Sequence, residues 1–171
     1  MKTPSTLTKI DKMLMVLCGL GLAFMGYLAY LHFKVTDGSI CNFGAGVSCE
    51  IVNKSIYSEI LGVPLSFLGL AYFITIFALA YKKFLPQSYR VIQAFTVFSL
   101  VFGVNLSLIE VRDLGTICPF CEASKALMLI ILVLAWRADK HAERKMPIPW
   151  IATAVIVGLL FVGATRYLQA T

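Results

Sequence analysis

The sequence predicts an all-α integral membrane protein: a four-helix transmembrane bundle, a fifth transmembrane helix, and a short interfacial helix in the first outer loop. Hydrophobic residues make up 59% of the 171 residues and charged residues 14%, whereas soluble domains have roughly 45–50% and 25%. The apolar residues also form five runs, each close to the roughly 17–25 helical residues that cross a bilayer. Because backbone groups in lipid must pair within their own segment, each run is expected to be a helix.

These runs divide the chain into regions. The first is longer than the roughly 7–15 apolar residues of a cleavable signal peptide, so we expect it to be retained. We predict a cytoplasmic segment over 1–12, a four-helix bundle over 13–136 with an outer loop at 33–63, a cytoplasmic loop over 137–148, and a fifth helix with an outer terminus over 149–171. The five predicted spans are Met13–His32, Pro64–Tyr81, Val91–Ile109, Cys118–Trp136 and Pro149–Tyr167.

The basic residues predict how the bundle is oriented. The formal net charge is +6, but the basic residues lie between apolar runs, which is typical of membrane loops and gives no support to nucleic-acid binding. Ten lie on one predicted side: Lys2, Lys9, Lys12, Lys82, Lys83, Arg90, Arg137, Lys140, Arg144 and Lys145. Four lie on the other: Lys34, Lys54, Arg112 and Arg166. The positive-inside rule therefore predicts a cytoplasmic amino terminus and an outer carboxyl terminus.

The second half of the outer loop has helical periodicity. Apolar residues recur at helical spacing from Ser48 onward, while Asn53, Lys54 and Ser58 take the other face, which predicts an amphipathic helix in the membrane interface. Pro64 then ends the loop and begins the second span. The apolar residues are Ile51, Val52, Ile56, Ile60 and Leu61.

Four of the five cysteines lie on the predicted outer side. Cys18 lies within the first span and is expected to be an inert packing residue. Cys41 and Cys49 lie in the outer loop with seven residues between them, and Cys118 and Cys121 form Cys-Pro-Phe-Cys at the start of the fourth span. A helix amino terminus stabilises a thiolate, so this motif favours redox chemistry, with Cys118 as the helix cap.

Two cysteine pairs allow electrons to pass by thiol–disulfide exchange. A mobile loop pair would collect electrons from a soluble protein and pass them to a fixed pair at the membrane. The acceptor must dissolve in lipid and take two electrons, as a quinone does. Two other interpretations remain open for the cysteines: both pairs are structural disulfides of a non-catalytic scaffold or transporter, or all four bind zinc, although seven intervening residues fit poorly with the usual zinc spacing.

The sequence resembles bacterial members of the vitamin K epoxide reductase family. The resemblance covers about Met13–Trp136 and rests on the order and spacing of the two cysteine pairs, on Cys49-Glu-Ile-Val-Asn-Lys-Ser55 and on Gly62-Val-Pro-Leu-Ser-Phe-Leu-Gly69. It implies that Cys41 and Cys49 contact the redox partner, that Cys49 exchanges with Cys118, and that Cys121 reacts with the quinone.

The resemblance also implies a quinone pocket that includes Ser55, and we expect Phe120 and Lys125 to contribute to it. Two interpretations of Lys125 stay open. In the first, Lys125 stabilises the Cys121 thiolate or a reduced-quinone oxyanion. In the second, it pairs with Glu122 or Glu110. Glu110, Arg112 and Asp113 flank the third connection and are expected to be solvated. No metal is expected at the candidate site.

The resemblance implies a bacterial cytoplasmic-membrane enzyme that reoxidises a periplasmic thioredoxin-like protein and reduces a ubiquinone- or menaquinone-type acceptor. Many bacterial members carry a fused thioredoxin-like domain; this chain ends at Thr171, so the partner is expected to be a separate protein. The disulfide-bond formation protein B family does similar work, but its Cys-x-x-Cys pair precedes the loop pair. Reduction of a quinone or quinone epoxide in another physiological direction remains open.

Overall fold

The described residues form five long helices, with short helical and strand segments in the loop between the first two. The structure is a computed structural model that describes residues 8–34, 40–44, 46–60, 62–82, 88–140 and 148–170. In chain order the elements are α1 (Lys9–Phe33), α2 (Cys49–Asn53), a 3₁₀ helix (Ile56–Ser58), β1 (Glu59–Ile60), β2 (Val63–Pro64), α3 (Leu65–Lys82), α4 (Ser88–Arg112), α5 (Pro119–Lys140) and α6 (Ile148–Ala170).

The five long helices coincide with the five predicted spans. Among the described residues, Lys9–Phe33, Ser88–Arg112 and Pro119–Ala138 are long and apolar enough to cross a membrane by length and composition. Shorter apolar helices cover Leu65–Tyr81 and Ala152–Ala164. Many large apolar side chains face outward on these helices, as they do where lipid is the solvent. Examples are Val16, Ile74, Leu129 and Leu160.

Helix α1 is central to the bundle because it packs against both α3 and α5, while α4 packs against α5 and α6. The α1–α3 contact is close at Gly21, where a Cβ atom would overlap the ring of the fully buried Phe73. Cys18 is also fully buried and unbonded to another cysteine. The prediction that Cys18 is a buried packing residue is confirmed.

The short amphipathic helix predicted from Ser48 onward begins where it was expected, but it does not continue to Ile60. The hydroxyl of Ser48 does cap α2 by accepting from the Ile51 amide at 3.2 Å, but α2 ends after five residues. The Ser55 hydroxyl then donates to the Val52 carbonyl at 2.8 Å, and such side-chain bonds compete with helical ones. Beyond them, Gly62 has a φ of 77°, which allows a tight turn between β1 and β2.

Polar contacts fasten this outer segment to the end of α1. The Asn53 side-chain amide donates to the Leu28 carbonyl at 2.6 Å. His32 Nδ1 lies 2.8 Å from the Asn53 carbonyl oxygen, and since a carbonyl only accepts, Nδ1 carries the proton. His32 Nε2 lies 3.0 Å from a Glu59 carboxylate oxygen. His32 therefore anchors the loop at the helix end.

Candidate functional site

Cys118 caps helix α5. It directly precedes Pro119, the first residue of α5, and its sulfur accepts a hydrogen bond from the Cys121 amide at 3.3 Å. Proline suits this position because the first turn of a helix leaves its amides without intrahelical partners. The predicted cap is confirmed: the Cys118 sulfur lies at the amino terminus of α5 and receives an amide hydrogen bond, while Cys121 lies in the first turn of the helix.

Cys41 and Cys49 form a disulfide, with their Cα atoms 5.8 Å apart. Cys49 is the first residue of α2, so the short helix holds one of the two sulfurs in place. The Ser48 hydroxyl donates to Asn42 Oδ1 at 2.6 Å, which joins the residues next to the two cysteines. In contrast, Cys118 and Cys121 are free thiols.

Backbone hydrogen bonds align the two cysteine pairs. Val47 and Ile117 form a parallel β-bridge, in which the Ile117 amide donates to the Gly46 carbonyl at 2.9 Å and the Ser48 amide donates to the Ile117 carbonyl at 3.1 Å. Cys49 follows Ser48 and Cys118 follows Ile117, so both cysteines lie directly beyond the bonded segment. The sequence analysis did not predict this bridge, which is the contact that brings the pairs to the same end of the bundle.

The closed loop hides its disulfide from water. Cys41 is 1% exposed, and Cys49 and Cys118 are fully buried. The sequence predicted a loop pair that meets soluble proteins, and in this closed arrangement it does not. The Ile40 amide, next to Cys41, donates to the Tyr27 hydroxyl at 3.0 Å. A protein thiol therefore reaches the disulfide only after this segment has moved away from the bundle.

A cavity of about 330 Å³ lies beneath the cysteine pairs. Cys121, Ser55 and Lys125 all line it, so three of the predicted site residues share one cavity. Along α4 the lining extends from Glu110 to Phe95, a distance of roughly 22 Å at about 1.5 Å per residue. The remaining lining is mostly apolar, with α3, α4 and α5 contributing Leu65, Leu68, Tyr72, Phe95, Phe102, Leu106 and Met128.

A partly buried polar cluster around Lys125 borders the cavity at its polar end. The Lys125 ammonium group contacts Ser107, lies 2.5 Å from Glu122 Oε1 and lies 3.9 Å from Glu110 Oε1. Ser107 also donates to Glu122 Oε1 at 2.8 Å. Lys125 therefore pairs with both carboxylates, as one interpretation predicted. Lys125 also lines the cavity beside Cys121. This position is compatible with the other interpretation, in which Lys125 stabilises the Cys121 thiolate or a reduced-quinone oxyanion.

The prediction that Glu110 is solvated is wrong. Glu110 is only 3% exposed, whereas Arg112 and Asp113 are exposed as predicted. Glu110 Oε2 accepts from the Cys118 amide at 3.0 Å, and this bond and the nearby Lys125 compensate for the burial of its carboxylate. Glu110 thus links the helix cap to Lys125; the pairing with Lys125 was one of the predicted alternatives, whereas the bond to the helix cap was not predicted.

Phe120 does not contribute to this cavity as described. Its ring packs against Phe24, with centroids 5.2 Å apart, and against the edge of Tyr27 at 5.4 Å. Phe120 and Cys121, although adjacent in sequence, point to different sides of α5, so only Cys121 lines this cavity. Phe120 instead helps to pack α5 on α1, beneath the loop that carries the disulfide.

A family model for the vitamin K epoxide reductase family matches residues 12–136, about three quarters of the chain. The chain belongs to the vitamin K epoxide reductase family. Members of this family are quinone-dependent membrane oxidoreductases that act on thiols and generally work with thioredoxin-like partners. The match includes both cysteine pairs and α1–α5, and it ends before α6. It confirms the resemblance based on the motifs and identifies a multi-pass membrane oxidoreductase.

Proposed function

We propose that this protein reoxidises a separate, extracytoplasmic thioredoxin-like protein and passes the two electrons to a membrane quinone. The observation that carries the proposal is the alignment of the pairs. The bond between Ser48 and Ile117 holds Cys49 next to Cys118, while Cys121, one helical turn on, lines an apolar cavity. The loop pair therefore lies beside the Cys118–Cys121 pair, and this second pair lies at the cavity.

The first step is exchange between the partner and the loop. A thiolate of the partner attacks Cys41, forms a mixed disulfide and releases the Cys49 thiolate. The second partner thiol then resolves this bond, so the partner leaves oxidised and the loop pair is reduced. Because the disulfide is buried in the closed loop, this step takes place with the loop open.

The second step is exchange within the protein. The Cys49 thiolate attacks Cys118 of the Cys118–Cys121 disulfide and releases the Cys121 thiolate; Cys41 then attacks Cys49 and restores the loop disulfide. The products are an oxidised loop pair and two free thiols on α5. In the proposed cycle, this is the state from which the protein would reduce its acceptor.

The cavity fits a quinone in size and chemistry. Ligand pockets are typically about 300–1,000 Å³ and mostly apolar, with a few polar groups that orient the ligand, and this cavity has about 330 Å³ with Ser55 and Lys125 at the cysteine end. A bound quinone would accept two electrons and two protons as the Cys118–Cys121 disulfide re-forms. Lys125 would donate a hydrogen bond to a quinone oxygen, and Ser55 would donate another after releasing the Val52 carbonyl.

The proposal also includes an orientation of the protein in the membrane. The basic residues favour a cytoplasmic amino terminus, which places the loop disulfide and the Cys118–Cys121 pair on the outer side of a bacterial cytoplasmic membrane. That side is oxidising and contains the thiol proteins that require reoxidation. Labelling with a membrane-impermeant maleimide after mild reduction in intact cells tests it: Cys41 and Cys49 should be labelled from outside, and labelling only after lysis contradicts the orientation.

The test of function is quinone reduction by the purified protein with a reduced thioredoxin-like protein as donor. Cys121→Ser should abolish turnover while leaving the thermal unfolding temperature near that of the wild type. Cys49→Ser, incubated with the oxidised donor, should form a mixed disulfide through Cys41, because the Cys41 thiolate attacks the donor disulfide and releases one donor thiolate; the product is visible as a shifted band on a non-reducing gel. If Cys121→Ser keeps normal turnover, the proposed electron path is wrong; if it mainly lowers stability, the cysteines are structural.

A further inference from the structure

Helix α6 contributes a side chain to the same cavity, although it lies outside the family match. The match ends at residue 136, and α6 covers Ile148–Ala170. Phe161 of α6 nevertheless lines the cavity. Its ring centroid lies 5.8 Å from that of Phe98 and 5.5 Å from that of Phe102, both on α4. The three rings form one aromatic group, which we call the aromatic wall.

The close packing of α6 on α4 keeps this wall in place. A Cβ atom on Gly158, one turn before Phe161, would lie 3.1 Å from a methyl group of Val101 and 3.6 Å from the Phe98 ring. The absence of a side chain at Gly158 therefore lets the two helix backbones approach each other. As a result Phe161 reaches the cavity at the level of Phe98 and Phe102 instead of lying beside α4 on the outer surface.

The cavity has two chemically different ends. Cys121, Lys125 and Glu110 form the polar end, next to the helix cap. The aromatic wall begins at Phe102, beside Gly103, which packs against the Lys125 side chain, and it reaches Phe98, roughly 18 Å from Glu110 along α4. Phe161 is 37% exposed and Leu68 of α3, also in the lining, is 43% exposed. The cavity is therefore open on the side of α3 and α6, where an apolar chain would pass from the site into lipid.

We propose that α6 completes the acceptor site, with the aromatic wall binding the apolar tail of the quinone at the cavity opening. This inference rests on the proposed function. A ring held near Cys121 has its tail directed toward the far end, because the polar end is closed by charged groups that disfavour a hydrocarbon chain. Three aromatic rings supply a large apolar surface there, and Phe161 contributes to the preference for tailed over tailless acceptors.

The test compares two acceptors of the same ring: one with a long isoprenoid tail and one with no tail. Phe161→Ala in the full-length protein should raise the KM for the tailed quinone by about fivefold, with little change for the tailless quinone. Leu160→Ala is the matched control, because Leu160 neighbours Phe161 on α6, is exposed and is absent from the cavity lining. It should change neither KM. Phe161→Leu, which retains an apolar side chain, should have a smaller effect.

A binding measurement separates this inference from the proposed function. Thermal stabilisation of the detergent-solubilised protein by each quinone is recorded without any thiol donor. If the tailed quinone stabilises the wild type but not Phe161→Ala, the inference about tail binding holds. If no turnover is seen in the same preparation, only the proposed function is contradicted. Equal responses of wild type and Phe161→Ala to the tailed quinone overturn the inference, as does an equal KM change for both acceptors.

Discussion

Replacing Lys125 with methionine is the first step in separating its two possible roles, which are to neutralise nearby carboxylates and to assist quinone reduction. Lys125 and Glu110 have side chains only 13% and 5% exposed, with Nζ and Oε1 3.9 Å apart. At that distance two unit charges attract each other by about 4 kcal/mol for an effective dielectric constant of roughly 20. Lys125→Met removes the cation and leaves Glu110 buried with only its bond from the Cys118 amide. We therefore expect a loss of roughly 3 kcal/mol in stability. Glu122, 42% exposed, adds little.

The double variant Lys125→Met, Glu110→Gln neutralises both partners. Glutamine keeps an oxygen that accepts from the Cys118 amide, so most of the lost stability should return, to within about 1 kcal/mol of the wild type. If Lys125 assists quinone reduction, the double variant should still turn over about 10–100-fold more slowly, since a hydrogen bond from a charged donor is worth about 1.5–3 kcal/mol. Stability is measured by thermal unfolding in detergent, and turnover by the absorbance of the quinone.

One outcome would refute this reasoning. If the double variant is as stable and as fast as the wild type, Lys125 only neutralises the carboxylates and takes no part in the reaction. Lys54→Met is the matched control, because Lys54 forms an ion pair with Glu50 at 2.6 Å on the outer loop and is 35% exposed. Its loss should cost less than about 1 kcal/mol and leave turnover with the quinone unchanged.

The remaining predictions concern packing and loop opening. Cys18→Ala should leave specific activity unchanged, and a complete loss of quinone reduction would contradict the assignment of the other four cysteines. Gly21→Ala should lower stability by about 1–3 kcal/mol, because its methyl group would overlap Phe73. Gly19→Ala, with no atom near its added methyl group, should not lower the unfolding temperature. Tyr27→Phe removes a hydrogen bond to the cysteine loop worth about 1 kcal/mol, so a soluble dithiol should reduce the loop disulfide about fivefold faster; an unchanged rate would show that this bond does not limit opening.

The helices could be predicted because the information lies within each segment. Long apolar runs identify the five helices, and Cys118 followed by Pro119 identifies the start of α5 from local chemistry alone. The outer loop was harder because its pattern of isoleucines fits a helix, yet the Ser55 side chain bonds the backbone and Gly62 makes a turn. Periodicity reports which face is apolar, and it does not report where such local bonds end a helix.

The errors at the candidate site have a common cause. Glu110 precedes two charged residues at a helix end, which is typical of a solvated position, but its partners are on α5 and at the helix cap. Phe161 is one of many apolar residues on α6, and only the packing of Gly158 against Val101 shows that it enters the cavity. Both assignments depend on which helices are neighbours, and a single sequence does not specify this.

The burial of the loop disulfide couples the two exchange steps of the proposed relay. The backbone bonds between Gly46, Ser48 and Ile117 hold Cys49 beside Cys118, and the same closed arrangement keeps Cys41 out of reach of soluble thiols. In the proposed relay, opening the loop would expose Cys41 to the partner and separate Cys49 from Cys118. The partner and the inner pair would then not react with the loop at the same time, and a soluble thiol would not reduce the inner pair directly. A looser loop would speed the exchange with the partner and slow the exchange between Cys49 and Cys118. Turnover would therefore be highest when neither the open nor the closed loop dominates.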